Sequence, residues 1–169
     1  MDKQGVYDFL SRLGVWFEVT EHTAVYNMAE LANVPIPYPE ADAKNLFIRD
    51  DKKQNYYLLT VRGDKRVDLK AFRRAHGLRP ISFASAEELA AVLGLYPGAV
   101  TPLGVLNDAQ ARVKVFLDSD FFTAPGLVGA HPNDNTATVF LPFADLRRII
   151  EEHGNAVVLL DFSSSPPQA

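Results

Sequence analysis

Gly126-Leu127-Val128-Gly129-Ala130-His131-Pro132-Asn133-Asp134-Asn135-Thr136-Ala137-Thr138-Val139-Phe140-Leu141 is an apolar approach, a polar turn and an alternating return. Gly129 lets another backbone come close, because it has no Cβ. Pro132 fixes the chain directly after the histidine. Asn133, Asp134, Asn135 and Thr136 can bond their own backbone and hold a tight turn. The pattern predicts two strands joined by a stiff turn, with His131 at the end of the first. By itself it is equally a well-made hairpin with an incidental histidine.

The rest of the chain limits what such a turn can serve. It has 169 residues, 47 % of them hydrophobic, which is enough for one domain with a real core. Eleven Phe and six Tyr argue against disorder outside the ends. There is no cysteine, so disulfides, thiolate zinc sites and a cysteine nucleophile are excluded, in keeping with a cytoplasmic setting. The N-terminal residues lack a signal-peptide core, and no apolar run approaches the roughly 20 residues needed to cross a bilayer, so no membrane partner is expected.

The net charge is −4, but it is unevenly placed. Residues 49–79 carry ten basic and four acidic side chains, a local charge of +6 against −10 for the remainder. A basic patch on an acidic protein can contact phosphates locally while the whole molecule avoids indiscriminate binding. Lys65, Arg66, Lys70, Arg73 and Arg74 are its candidate phosphate contacts, unless the run is simply a solvated face.

In chain order, residues 2–13 read as a helix ended by Gly14, and 16–20 as a strand. Residues 27–32 read as a short helix with Asn27 as cap and Glu30 three residues on. Pro35, Pro37 and Pro39 predict an extended loop without regular structure. Residues 44–50 and 56–62 form a hairpin. Asp68 caps a basic helix over 68–76, residues 81–83 are a short strand, and Ser85 with Glu88 makes a capping box for a helix to Leu93. Strands follow over 112–117 and 137–141, an amphipathic helix over 143–153 and a last strand over 155–162. Residues 163–169 are expected to be a mobile tail beyond a single domain of 1–162. Strands and helices alternate without a regular βαβ repeat. The expected fold class is therefore α/β (α+β), with one curved, mixed, largely antiparallel sheet flanked by helices.

Several chemistries are missing. There is no nucleophile elbow, no nucleotide-binding glycine loop and no His-Glu-x-x-His. His22, His76, His131 and His153 are too scattered to suggest a metal site, so none is expected. His76 and His153 lie near helix ends, where a histidine often meets only the dipole, and His22 reads as a loop residue. Catalysis would have to use water, backbone donors, a lysine or a lone histidine.

Three stretches together resemble one family: Lys44-Asn45-Leu46-Phe47 with the Tyr56-Tyr57-Leu58 strand, Gly98-Ala99-Val100-Thr101-Pro102, and Gly129-Ala130-His131-Pro132-Asn133. In order and spacing they resemble the YbaK/prolyl-tRNA-editing family of trans-editing deacylases, related to the insertion domain of bacterial prolyl-tRNA synthetases. The resemblance runs from about Trp16 to Phe162. Asp64-Lys65-Arg66-Val67-Asp68-Leu69-Lys70 is most similar to the branch that deacylates alanyl-tRNA(Pro).

The resemblance implies a hydrolase that needs no cofactor and no metal, acting on the acceptor end of mischarged tRNA(Pro), with prolyl-tRNA synthetase as a possible partner. It implies Lys44, Gly98 and His131 as the catalytic group, converging on one pocket. Lys44 would meet the terminal phosphate or the ester carbonyl. Gly98 would bring backbone N–H groups to the aminoacyl end. His131 would shape the pocket or orient water, without being assigned as general base. Asn45, Thr101, Pro102, Gly129, Ala130 and Pro132 would bind substrate. Two other readings compete: a nucleic-acid-binding module without catalysis, using the basic segment, and a small-molecule regulatory domain using the same pocket.

Overall fold

The computed structural model describes residues 1–24 and 36–162. The helix expected over 27–32 and the tail over 163–169 lie outside the described residues. Among the described residues four helices and eight strands are formed: α1 (Lys3–Arg12), β1 (Glu18–Glu21), β2 (Ala43–Asp50), β3 (Tyr56–Arg62), α2 (Leu69–Ala75), β4 (Ile81–Phe83), α3 (Ala86–Leu93), β5 (Val113–Asp118), β6 (Leu127–Ala130), β7 (Ala137–Pro142), α4 (Phe143–His153) and β8 (Val157–Leu160). Single-turn 3₁₀ segments occupy Pro39–Ala41 and Ser119–Phe122, and a longer one Pro102–Asn107.

The mixed, largely antiparallel architecture holds, but the strands form two sheets rather than one. The larger has the order β4-β2-β3-β5-β8 and the smaller β1-β7-β6. β2 is antiparallel to β3 and β4, whereas β3, β5 and β8 run parallel. The break comes after β5. There Asp118 accepts from the Asp120 N–H at 3.0 Å and starts the Ser119–Phe122 turn, which carries the chain off the large sheet. The segment from Gly126 onward then makes the expected β6–β7 hairpin, to which β1 adds.

Alternation along the strands sorts the core into two layers. Phe47, Tyr56, Leu58, Val113, Val115 and Leu117 face the small sheet and helices α1, α3 and α4, where the main core lies. Ile48, Tyr57, Leu59, Val61 and Phe116 face the other way and are covered by Phe72 of α2 together with Phe162.

Local chemistry sets the helix ends. The Asp2 carboxylate caps α1 by accepting from the Gly5 N–H at 2.8 Å. Asp68 caps α2 and Ser85 with Glu88 forms the predicted capping box on α3, which ends at Gly94 in the left-handed region. Two expectations shift. Pro39 opens a 3₁₀ turn rather than continuing an irregular loop, since proline suits the first position of such a turn. The last strand starts at Val157, because the buried Asn155 side chain is tied to Asp108 at 3.0 Å and to the Val113 carbonyl at 2.9 Å.

Glu88 joins three of these elements. It accepts from Arg49 Nε of β2 at 3.0 Å, from the Tyr56 hydroxyl of β3 at 3.1 Å, and from the Ser85 N–H at 3.1 Å. Although burial opposes its charge, the bonds to Ser85, Tyr56 and Arg49 hold its carboxyl down at about 2. Its contribution is therefore present above the ordinary value of 4.5 and is lost as pH falls toward about 2. Glu88→Gln should melt at a lower temperature than the wild type at pH 7. The gap should close as pH is lowered through that window, as followed by thermal denaturation.

Candidate functional site

Where the β2 end of the large sheet faces the β6–β7 hairpin, a cavity of about 30 Å³ is lined by Asp42, Ala43, Asn45, Gly129, Ala130, His131 and Thr138. A larger cavity of about 210 Å³ adjoins it, walled by Phe47, Phe83, Leu89, Pro97, Gly98 and Val100 among others. Asn45 lines both.

Asn45 is held by a buried partner. The Thr60 hydroxyl, opposite it on β3, donates to Asn45 Oδ1 at 2.7 Å. The amide oxygen is thereby occupied and the amide N–H groups remain as donors at the junction of the two cavities.

His131 stands at the end of β6, as the sequence predicted, and the turn after it is stiff for the predicted reason. The Asp134 carboxylate accepts from the Thr136 N–H at 2.8 Å and from the Thr136 hydroxyl. Contacts from outside add to this: Lys3 reaches Thr136 at 2.9 Å, Asn133 donates to the Met1 carbonyl at 2.9 Å, and the Tyr96 hydroxyl donates to Asn135 at 3.0 Å. His131 Nδ1–H donates to the Ala137 carbonyl at 2.9 Å across the turn. A backbone carbonyl therefore orients the ring, which leaves Nε2 as an acceptor. Burial lowers the His131 pKa below the usual histidine range, so the neutral form prevails.

His22 is more than a loop residue. Its Nδ1–H donates to the Thr23 carbonyl at 2.8 Å, and its Nε2 accepts from the Thr138 hydroxyl at 2.9 Å. The ring meets that of His131 edge-on, with centroids 6.2 Å apart. Nothing local in the sequence links His22 to His131. The link depends on β1 pairing with β7, which brings Thr20 beside Thr138.

The expected convergence of Lys44, Gly98 and His131 is not what the strands produce. Lys44 alternates with Asn45, so its side chain leaves the sheet on the α2 side, with Leu46 and Ile48. It lines neither cavity. Burial and the nearby Arg66 charge lower its ammonium pKa, against the opposing effect of Asp64. Gly98, with φ near +93°, lines the larger cavity and His131 the smaller, so the two are neighbours across Asn45 rather than partners in one pocket.

The predicted binding residues divide in the same way. Gly129 and Ala130 line the small cavity. Pro132 is buried behind the turn. Thr101 and Pro102 are also buried and line neither cavity. The Thr101 hydroxyl caps the Pro102–Asn107 turn by accepting from the Leu103 N–H at 3.3 Å. A Cβ on Gly129 would lie 3.0 Å from the Phe140 ring and 3.2 Å from the Ala41 carbonyl oxygen. The glycine is thus required by close packing of β6 against β7 and the Pro39–Ala41 turn, as well as by cavity volume.

The basic segment is only partly free. Lys65 is withdrawn from it: its ammonium lies 2.9 Å from the wholly buried Asp118 and 2.7 Å from Asp120. Its predicted role as an exposed phosphate contact is corrected by this pairing. Arg49, Arg62 and Arg79 are likewise paired, with Glu88, Asp64 and Asp51. Arg66, Lys70, Arg73 and Arg74 are exposed and form no ion pair among the described residues, on the side of the sheet to which Lys44 points. Among the described residues there is no group of three His, Cys, Asp or Glu able to hold a metal ion, and no helix long and apolar enough to cross a membrane.

Residues 22–149 match the model of the aminoacyl-tRNA editing domain, from His22 past the β6–β7 hairpin and into α4. The chain belongs to the aminoacyl-tRNA editing domain family. Membership makes it an editing enzyme, a hydrolase of the aminoacyl ester. It is 39 % identical over 153 residues to the prolyl-tRNA editing protein ProX of Acetoanaerobium sticklandii, covering 90 % of this chain and 93 % of that one. It is 32 % identical over 156 residues to prolyl-tRNA synthetase associated domain-containing protein 1 of Mus musculus, covering 90 % and 92 %. Among solved structures, a candidate trans-editing enzyme for prolyl-tRNA synthetase superposes with a TM-score of 0.65 at 22 % identity, over 94 % of this chain and 93 % of that one. The protein APE2540 superposes equally well, with a TM-score of 0.65 at 19 % identity over 90 % of this chain and 95 % of that one. These two likenesses place the editing-domain fold.

The Lys65 pairing has a measurable consequence. Lys65→Ala leaves Asp118 buried with only the Arg62 and Asp120 N–H groups as partners. It should destabilise the protein by on the order of 2–3 kcal/mol in chemical denaturation. Lys70→Ala should be close to neutral in the same measurement.

Proposed function

We propose that this editing domain hydrolyses mischarged tRNA(Pro) in trans, with alanyl-tRNA(Pro) as its substrate. The observation that carries the reading is the position of Asn45, shared by a small cavity and a larger one. An aminoacyl ester is likewise a small group joined to a nucleoside. With the amino-acid side chain in the small cavity and the terminal nucleotide in the large one, the ester carbonyl falls at Asn45.

Size supports alanine. About 30 Å³ is a small space, enough for a group of one or a few heavy atoms. That admits a methyl group and excludes a pyrrolidine ring. Exclusion by size is the logic of a second sieve: the cognate prolyl ester is spared because it does not enter. The names of the bacterial and mouse relatives support tRNA(Pro) as the carrier and an association with prolyl-tRNA synthetase.

In this reading a water attacks the ester carbonyl carbon. The new C–O bond forms, the bond to the ribose oxygen breaks, and the amino acid and a free ribose hydroxyl leave. His131 Nε2 accepts a hydrogen bond from the attacking water, with its ring fixed by the Ala137 carbonyl. The Asn45 N–H groups donate to the carbonyl oxygen as it becomes negative, and Thr60 holds them in place beforehand. Lys44, on the other side of the strand, joins Arg66, Lys70, Arg73 and Arg74 in binding phosphates. Phe83, 59 % exposed beside the larger cavity, offers a face for the terminal base.

Purified protein should deacylate alanyl-tRNA(Pro) and leave prolyl-tRNA(Pro) intact. Asn45→Ala should lower kcat by roughly 10²-fold, the effect of deleting one oxyanion donor, without loss of fold. A kcat within threefold of wild type would remove Asn45 from the chemistry.

Lys44→Ala and the combined Arg73→Ala, Arg74→Ala variant should instead raise KM. Each should flatten the dependence of tRNA affinity on salt, by about one unit of slope per lost phosphate contact. If Lys44→Ala lowered kcat as strongly as Asn45→Ala, the ammonium would have to reach the ester despite its place on the strand.

A further inference from the structure

Among the described residues, Asp42 is the only acidic one on the wall of the small cavity. Its backbone is pinned on both sides: the N–H donates to the Pro39 carbonyl at 3.3 Å, and the carbonyl accepts from the Gly63 N–H at 2.9 Å. Its carboxylate has neither hydrogen bond nor ion pair among the described residues, although it is half-buried. The nearest bases are engaged elsewhere or turned away. Arg62, which borders the groove on the outer side of Asp42, is paired with Asp64 at 3.7 Å, and Lys44 points to the α2 side. Asp42 lines the small cavity together with Asn45, Ala43, Gly129, Ala130, Thr138 and the neutral ring of His131, and it borders the outer groove as well. An acidic residue therefore borders a cavity whose described lining supplies no positive charge.

We propose that Asp42 is the subsite for the α-ammonium group of the aminoacyl moiety. The inference rests on the deacylase reading above and assigns the part of the substrate which that reading left without a partner. In an aminoacyl ester the ammonium, the carbonyl and the side chain all branch from one carbon or the next. The cavity presents a matching set: carboxylate at Asp42, amide donors at Asn45, and glycine and alanine at 129 and 130. Three-point contact would fix the face of the carbonyl turned toward His131.

The energetics agree with a group kept for binding. Burial alone pushes the Asp42 carboxyl up to about 6, so its charge, still mostly present at neutral pH, is costlier in the empty site than in water. An arriving ammonium would offset that penalty with a charge-assisted hydrogen bond.

The test compares alanyl-tRNA(Pro) with L-lactyl-tRNA(Pro), in which a hydroxyl of nearly the same size replaces the ammonium. Both are assayed with wild-type protein and with Asp42→Asn at pH 7.5. The variant removes a disfavoured charge at constant shape, so its melting temperature should not fall. Asp42→Asn should lower kcat/KM for the alanyl ester about tenfold or more, the range of a charge-assisted bond, while changing that for the lactyl ester less than twofold. Equal losses on both esters would make Asp42 a group acting on water or on the fold, and would overturn the proposal. So would an unchanged alanyl-to-lactyl ratio in an active variant. If the wild type hydrolysed neither ester, the deacylase reading itself would fall, and the subsite with it.

Discussion

Side-chain alternation along β2 governs the site. Because successive residues of a strand point to opposite faces, Asn45 enters the cavity between the two sheets and Lys44 cannot. That separation distributes two jobs across one strand. The inner face, shared with Thr60 and the β6–β7 hairpin, presents polar donors held in place by hydrogen bonds. The outer face is an apolar layer packed under α2, with Lys44 at its end near the Arg66 charge and the exposed cations of the basic segment. An ester and the phosphates that accompany it need these two environments. A low-dielectric pocket strengthens a few fixed donors, whereas a polyanion is best met by mobile cations in water.

The sequence revealed the elements more readily than their meeting points. Ser85 with Glu88 and Asp68 announced their helices, and the polar turn after His131 announced a hairpin, because caps and turns are local chemistry. The motif residues Asn45, Gly129, Ala130 and His131 do meet at one cavity. What local reading missed was of another kind. His22 gains its role only through pairing between β1 and β7, and Asp42 only because the Pro39–Ala41 turn delivers it to the cavity wall. Lys65 looked like its basic neighbours, yet Asp118, more than fifty residues further on, takes it out of solvent. The mixed, largely antiparallel architecture was legible too, but its division into two sheets was not, because the capped turn at Asp118 carries the chain off the large sheet.

Rigidity in the site is assembled from weak, redundant ties. His131 is oriented by a carbonyl on the next strand, and Asn45 by a threonine on the neighbouring one. The histidine turn is fastened by its own Asp134 and by side chains of Lys3, Asn133 and Tyr96. With no cysteine in the chain, no thiolate cross-link contributes. A second layer of ordinary hydrogen bonds is enough to preorganise a site for an ester that is already activated.

The pairing of β1 with β7 also bears on synthesis. Val19 lies opposite Val139, so the strand that brings His22 to His131 cannot close until most of the chain has been made. Parallel pairing of β5 with β8, and of β3 with β5, likewise waits for distant segments. Such non-local contacts form slowly, because the intervening chain must be ordered before they repay its entropy. The N-terminal helix therefore leaves the ribosome long before it has a partner. The pocket itself depends on contacts between segments that lie far apart in the chain.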